Sequence, residues 1–281
     1  MSFGKRLTGW LSNILLYGIL IMTSIFMMLP FVWMLSTSLK PENEIFRLPP
    51  IVISPNFNLN SYRNLIEQRH ILRILANTGI IASGSTALQL FFCSLGGYGF
   101  AKFKFPGREQ LFGILLATMI VPFSIMMVPL YVIMLNLKWI DTFWPLIIPG
   151  AANAFGIFFM RQYITTISDE LLDAARIDGA CEFVIFGRVI LPIIAPGLTR
   201  LGLIFFMGSW NNFMWPLVIL KSPSNFTLPI AIRSIVGGLI GRPVFNLQMA
   251  ASVISIIPLL IIFLVFQRRF VEGITAGAIK G

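Results

Sequence analysis

At 281 residues, 57 % hydrophobic and only 11 % charged, the chain is too apolar for a soluble domain, and one membrane domain accounts for its whole length. The formal charge of +10 would suit nucleic acid if it were clustered, but the cations lie scattered between apolar runs, as they do where they flank membrane spans. One histidine, His70, and two cysteines, Cys93 and Cys181, with no Cys-x-x-Cys, argue against a zinc site, a histidine-based catalytic set and a disulfide.

A span needs about 20 apolar residues to cross the hydrocarbon core. By that measure the chain is all-α with six spans. The first, about 13–35, follows Lys5 and Arg6; it lacks a small-residue cleavage site and reads as a retained span rather than a signal peptide. A polar segment, 36–73, follows, in which Tyr62, Leu65, Ile66 and Leu72 predict a surface helix; Glu42, Glu44 and Glu67 read as solvated charges. The second span, about 77–101, ends in the tight basic turn Lys102 to Arg108. The third, about 111–135, carries Pro122 and Pro129 as sources of a kink. The fourth is about 143–160, with Pro149-Gly150 able to break it. The fifth is about 197–220, a second polar segment spans 221–247, and the sixth is about 248–266. A tail, 267–281, ends the chain. The domain division expected is 1–76, a core at 77–266, and 267–281.

With both termini inside, twelve of the 21 Lys and Arg residues face the cytoplasm. The turn Lys102 to Arg108 decides the orientation more than that ratio does, because three cations sit there beside the membrane.

Between the fourth and fifth spans lies the one acid-rich stretch, Asp169 to Pro196, with five of the eleven carboxylates. Thr166 or Ser168 can cap a short helix whose first turn carries Asp169 and Glu170, where the helix dipole favours negative charge. Leu171, Leu172 and Ala175 are expected to share one face at helical spacing. Gly179 can supply a left-handed cap, with Arg176 in the last turn. A second short helix would place Phe183, Phe186 and Ile190 on one side, with Pro192 ending or kinking it. The product is a helical elbow on the cytoplasmic side.

Asp173-Ala174-Ala175, Asp178-Gly179-Ala180, Phe186, Leu191-Pro192 and Pro196 resemble the EAA loop of binding-protein-dependent ABC importer permeases. The resemblance implies the type I permease fold, with 166–192 as the segment that docks on a cytoplasmic ATPase through Asp173, Ala174, Ala175, Asp178, Gly179, Ala180 and Phe186. Asp173 stands where that family usually has Glu. Further pieces are similar to the carbohydrate class: Trp33 to Lys40, Gly97 to Lys102, Phe105 to Arg108, Pro122 with Pro129-Leu130-Tyr131, and Trp210-Asn211-x-Phe213-x-x-Pro216. The tail Phe270 to Gly281 is similar to the maltose-type branch, which implies that it reaches toward the ATPases.

No G-x-x-x-x-G-K-[ST] loop occurs, so nothing here cradles ATP phosphates. The implied assembly is a bacterial or archaeal cytoplasmic-membrane importer. This chain would be a non-enzymatic permease subunit, paired with a second six-span permease, two ATPase subunits that bind ATP and Mg, and an extracytoplasmic solute-binding protein. Polar groups within spans mark either a solute path or bonds between helices. Asn153, Trp210, Asn211 and Asn212 are the candidates, and both readings stay open. A sugar or oligosaccharide is the expected cargo; a polyol, sugar phosphate, uronic-acid oligomer or non-sugar solute is the alternative. A self-sufficient secondary transporter would require charges inside the spans, and the predicted interiors hold essentially none.

Overall fold

A computed structural model describes residues 3–49, 51–52, 54–237 and 244–278, with the backbone alone for 3–9, 11–12, 236–237 and 268–278. Among the described residues the regular structure is helical, without strands. That suits a bilayer, which offers backbone groups no water and leaves a helix to satisfy them within one segment. In chain order the helices are α1 (Phe3–Ser38), α2 (Glu42–Ile45), α3 (Asn60–Glu67), α4 (Ile71–Lys102), α5 (Arg108–Thr118), α6 (Phe123–Asn136) and α7 (Trp144–Ile147). Then come α8 (Ala154–Thr165), α9 (Asp169–Ile177), α10 (Glu182–Ile185), α11 (Leu191–Trp210), α12 (Met214–Ile219), α13 (Leu228–Gly237) and α14 (Phe245–Ala278). A π-helical turn, Phe186–Ile190, joins α10 to α11. The chain divides into two compact units, residues 1–71 with 232–258, and residues 72–231 with 259–281.

In the first unit, α1 is apolar on every side, and none of its most hydrophobic stretch is covered by protein, as befits a helix whose solvent is hydrocarbon. Beyond its end the chain is held by buried polar groups. Lys40 reaches the Ile51 carbonyl and lies over the Trp33 ring. Glu44, expected to be a solvated charge, is buried; it accepts from Ser54 Oγ at 2.5 Å and Asn56 Nδ2 at 2.7 Å. Those hydrogen bonds hold its carboxyl below the usual glutamate range. The predicted surface helix is α3, with Leu65 fully buried.

In the second unit, α4 is 32 residues long, about 48 Å at 1.5 Å per residue. The predicted third span is two helices, α5 and α6, bent by 96°. The bend falls at Pro122, which caps α6, while Pro129 stays inside that helix. The predicted fourth span is not one helix. It consists of α7 and α8, separated by 148–153, because Pro149 has no N–H to continue the ladder and the Asn153 side chain accepts from Gly156 N at 3.1 Å to cap α8. The fifth helix begins well before the predicted Gly197 and runs from Glu182 to Trp210. Pro192 neither ends nor breaks it. The Leu191 N–H bonds the Phe186 carbonyl in the wider π register, so the helix continues past a residue that cannot donate. Four of the described helices are long and apolar enough to cross a bilayer, and five if the bent pair counts as one span.

The main core of this unit lies where α4, α8, α9 and the α10–α11 helix meet, around Cys93, Tyr98, Met160, Leu172, Phe186 and Ile190. Gly97 sets the approach of α4. A Cβ there would lie 2.6 Å from Met160 Cβ and 2.9 Å from Arg161 N, so α4 rests directly on the backbone in the middle of α8.

Candidate functional site

The elbow is α9, a turn, and α10. Of the two possible caps Ser168 is used, its hydroxyl accepting from Glu170 N at 3.3 Å. At the other end Gly179 has φ of 81°. Its N–H bonds the Arg176 carbonyl, and Ala180 N–H reaches back to the Ala175 carbonyl, both at 3.0 Å. This pairing is a Schellman cap, which satisfies carbonyls that would otherwise be left open where α9 stops. Asp178 is the residue at the cap itself.

The two faces of the elbow differ from the expected pattern. Leu172 is buried and Ala175 packs on the core with Ala180, but Leu171 is exposed. Phe186 and Ile190 are buried, whereas Phe183, expected beside them, is 82 % exposed. The cause is the π turn, which inserts a residue into the helical repeat between positions 183 and 190 and shifts the facing of what precedes it. Ile177, next to the Gly179 turn, is 86 % exposed. The outer side of the elbow therefore presents Leu171, Ile177 and Phe183.

Charge fixes the elbow from within. Arg176 binds Asp173 at 2.8 Å and Glu182 at 2.9 Å, and these two carboxylates, Glu182 foremost, raise its pKa. The other oxygen of Glu182 accepts from the Tyr98 hydroxyl at 2.7 Å. Lys102, nearly covered, donates at 2.5 Å both to the Ile167 carbonyl and to Asp169, and this lowers the Asp169 pKa. Half-exposed pairs contribute little to stability in water, so their main effect here is orientation.

The opposite end of α4 meets a second polar site. Asn77 Nδ2 donates to the Ser224 and Phe226 carbonyls at 2.9 and 3.1 Å. Beside them Asp141, at φ 63°, accepts from Lys221 N at 2.9 Å, Ser222 N at 3.0 Å and Ser222 Oγ at 2.5 Å. Burial pushes the Asp141 carboxyl up, but these hydrogen bonds outweigh it and hold it down at about 2. The 25 helical steps from Asn77 to Lys102 cover roughly 38 Å, more than the hydrocarbon thickness of about 30 Å. That length is enough to set the elbow and the Asp141 site on opposite sides of a membrane.

The candidate solute residues are not used alike. Asn153 is occupied as the cap of α8. Trp210 is buried, its ring stacked on Phe206 at 5.6 Å. Asn211 and Asn212 are exposed at the break between α11 and α12, with Asn211 also donating to the Met207 carbonyl at 2.9 Å. Sequence reasoning missed a polar line inside α4. Ser85 Oγ donates to Ser209 Oγ at 2.9 Å, and Gln89 Nε2 donates to the Ser85 carbonyl at 3.1 Å. The four-residue spacing of Ser85, Gln89 and Cys93 within an apolar run was the available signal. Among the described residues no group of three or more His, Cys, Asp or Glu could hold a metal ion.

Residues 94–276 match the family described as binding-protein-dependent transport system inner membrane component. The arabinooligosaccharides transport system permease protein AraQ of Bacillus subtilis (strain 168) is 36 % identical over 92 % of this chain and 93 % of its own. The lactose transport system permease protein LacG of Rhizobium radiobacter is 30 % identical over 96 % and 97 %. A chain from the crystal structure of a bacterial ABC transporter involved in the import of the acidic polysaccharide alginate superposes with a TM-score of 0.81 at 24 % identity, covering 95 % of this chain and 98 % of that one, and shares the fold. With the match spanning the elbow, α11 and most of α14, the chain belongs to the family of inner membrane components of binding-protein-dependent transport systems, a permease subunit rather than an enzyme.

Proposed function

We propose that this chain is one permease half of an ATP-driven carbohydrate importer, with the elbow in the cytoplasm as the docking point of an ATPase. The observation that carries the proposal is the elbow's outer face. Ile177 and Phe183 stand almost fully exposed on a turn locked by Gly179, at the membrane side opposite the Asp141 site. Bare apolar side chains on a rigid knob outside the bilayer favour a protein partner. Because this chain has no phosphate-binding loop, ATP and Mg belong to that partner.

In this reading both termini are cytoplasmic, a second six-span permease completes the pathway, and two ATPase subunits close on ATP to draw the paired elbows together. The bent α5–α6 pair and the broken α7–α8 pair are the points where the bundle changes between inward-open and outward-open. A soluble binding protein delivers the solute to the opposite side, against 36–73 and 221–247. Asn211 and Asn212, exposed at a helix break, are the amides offered to solute hydroxyls, and the tail 267–281 reaches toward the ATPases. Its backbone is helical to Ala278; its last three residues and the side chains of 268–281 lie outside the described residues.

The relatives' printed substrates, arabinooligosaccharides and lactose, support a neutral sugar oligomer. An anionic oligomer is the second reading, favoured by the +10 charge and by the basic residues Arg63, Arg69, Arg73, Arg233 and Arg242 of the two polar segments, of which Arg242 lies outside the described residues. The test is uptake of labelled arabino-oligosaccharide against labelled uronic-acid oligomer into proteoliposomes holding the whole transporter and its binding protein. ATP-dependent uptake of the neutral sugar is expected. Uptake of neither, with the binding protein saturated, would contradict a carbohydrate cargo.

A further inference from the structure

The elbow is joined to the bundle by its own chain at only two places, the 166–168 link from α8 and the π turn into α11. Apolar packing of Leu172, Ala175 and Ala180 adds to these, and polar side chains add a further connection to a helix distant in sequence. Lys102, the last residue of α4, grips the start of α9 through the Ile167 carbonyl and Asp169, both at 2.5 Å. One turn earlier in α4, Tyr98 grips the far end of α9. Its hydroxyl holds Glu182 at 2.7 Å, and Glu182 holds Arg176 at 2.9 Å. The Tyr98 ring is itself wedged against Phe186 and Phe103, at 5.6 and 5.3 Å, and Gly97 beside it lies on the α8 backbone.

We propose that Tyr98 and Lys102 are positioning residues that clamp both ends of α9 to the end of α4, so that elbow and α4 move as one body when the ATPases close. The physical basis is the choice of anchors. A nearly covered ammonium cannot leave its two oxygens without losing both of its partners, which is unfavourable for a charge with little access to water. A phenol wedged between two rings can only follow the carboxylate it holds. The clamp makes α4 the lever that carries elbow motion across the membrane to the Asn77 contacts, and packed elements with few alternative arrangements are what such coupling travels through. The inference rests on the docking reading above.

The test uses the complete transporter in proteoliposomes and reads ATP hydrolysed per solute taken up, together with recovery of the ATPase subunits on the purified permease. Tyr98→Phe removes one hydroxyl and keeps the ring packing; Lys102→Met removes the charge and keeps the stem. Paired, they should raise the ATP-to-solute ratio by about fivefold, the scale on which changes along such networks alter coupling, with ATPase recovery unchanged. Lys102→Arg should return most of the lost coupling, and Glu182→Gln should reproduce part of the defect. A paired variant with the wild-type ratio would overturn the clamp. Loss of ATPase recovery in that variant would also overturn it, by showing that the two residues merely fold the elbow. Failure of the docking reading is separable: it would appear as full ATPase recovery on a permease whose Ile177 and Phe183 have been made acidic.

Discussion

The two ends of α4 are finished in different ways. At Asn77 the chain is fastened by short groups. Asp141 takes two backbone N–H donors and a serine hydroxyl, and Trp215, Ile219 and Leu220 are buried nearby. At Lys102 the fastenings are long side chains, a nearly covered ammonium and a half-exposed Arg176, paired with carboxylates that reach solvent, and beyond them Ile177 and Phe183 project bare. Short bonds to the backbone hold a loop in one place. Long ion pairs hold a knob in one orientation while leaving its outer face free for another protein. Under the proposed docking, the first end is the one that stays and the second the one that is pushed.

That contrast can be broken most forcefully at the bare face. Ile177→Asp with Phe183→Asp should cut recovery of the ATPase by about tenfold or more, the loss expected when anchors of an interface are removed. Insertion should persist, because neither side chain is covered; affinity purification from membranes measures both. Next is the turn. Gly179→Leu forces a left-handed conformation that costs an ordinary residue about 1–2 kcal/mol. ATP-driven uptake should fall while the chain still accumulates, and unchanged uptake would remove the docking role.

A smaller effect belongs to the fastened end. The Asp141 pKa of about 2 lies below the value near 4 of an unfolded aspartate. Its contribution to stability is therefore complete above about pH 4 and is lost as pH falls toward 2. Asp141→Asn should lower the melting temperature in detergent at neutral pH and flatten its decline between pH 5 and 3; a parallel decline would count against the stabilising role of the Asp141 hydrogen bonds. Smallest of all, Asp173→Glu should leave uptake within error, since the longer carboxylate still reaches Arg176, while Asp173→Lys should impair it by placing two cations together.

Much of this was legible in the residues. Helix caps are local, so Gly179 could be placed from sequence and the N-cap narrowed to Thr166 or Ser168; a kink at Pro122 or Pro129 and a break at Pro149-Gly150 were legible too. The size of the bend at Pro122, 96°, was not, because proline removes a hydrogen bond without dictating the angle that neighbours then allow. The facing of Phe183 was misread for a related reason. A constant helical repeat cannot anticipate a π turn, which shifts α10 relative to α11, and Pro192 signalled a stop where the π register let the helix continue. Leu171 sits on α9 about 100° from the buried Leu172, so a single face could not hold both. The pairs Tyr98 with Glu182 and Lys102 with Asp169 join residues 84 and 67 positions apart, and no local pattern reports them. Asn153 shows the converse. Its position within an apolar stretch suggested solute, and its chemistry is that of a cap.

The central claim is that the elbow faces the cytoplasm and meets a partner there. Cys181 sits in it, exposed, while Cys93 is buried, so one thiol reports the site without mutation. A membrane-impermeant maleimide should leave the permease unmodified in intact cells and label Cys181 in inverted vesicles stripped of ATPase, with protection returning when the ATPase is added back. Labelling in intact cells would put the elbow on the outside and contradict the account.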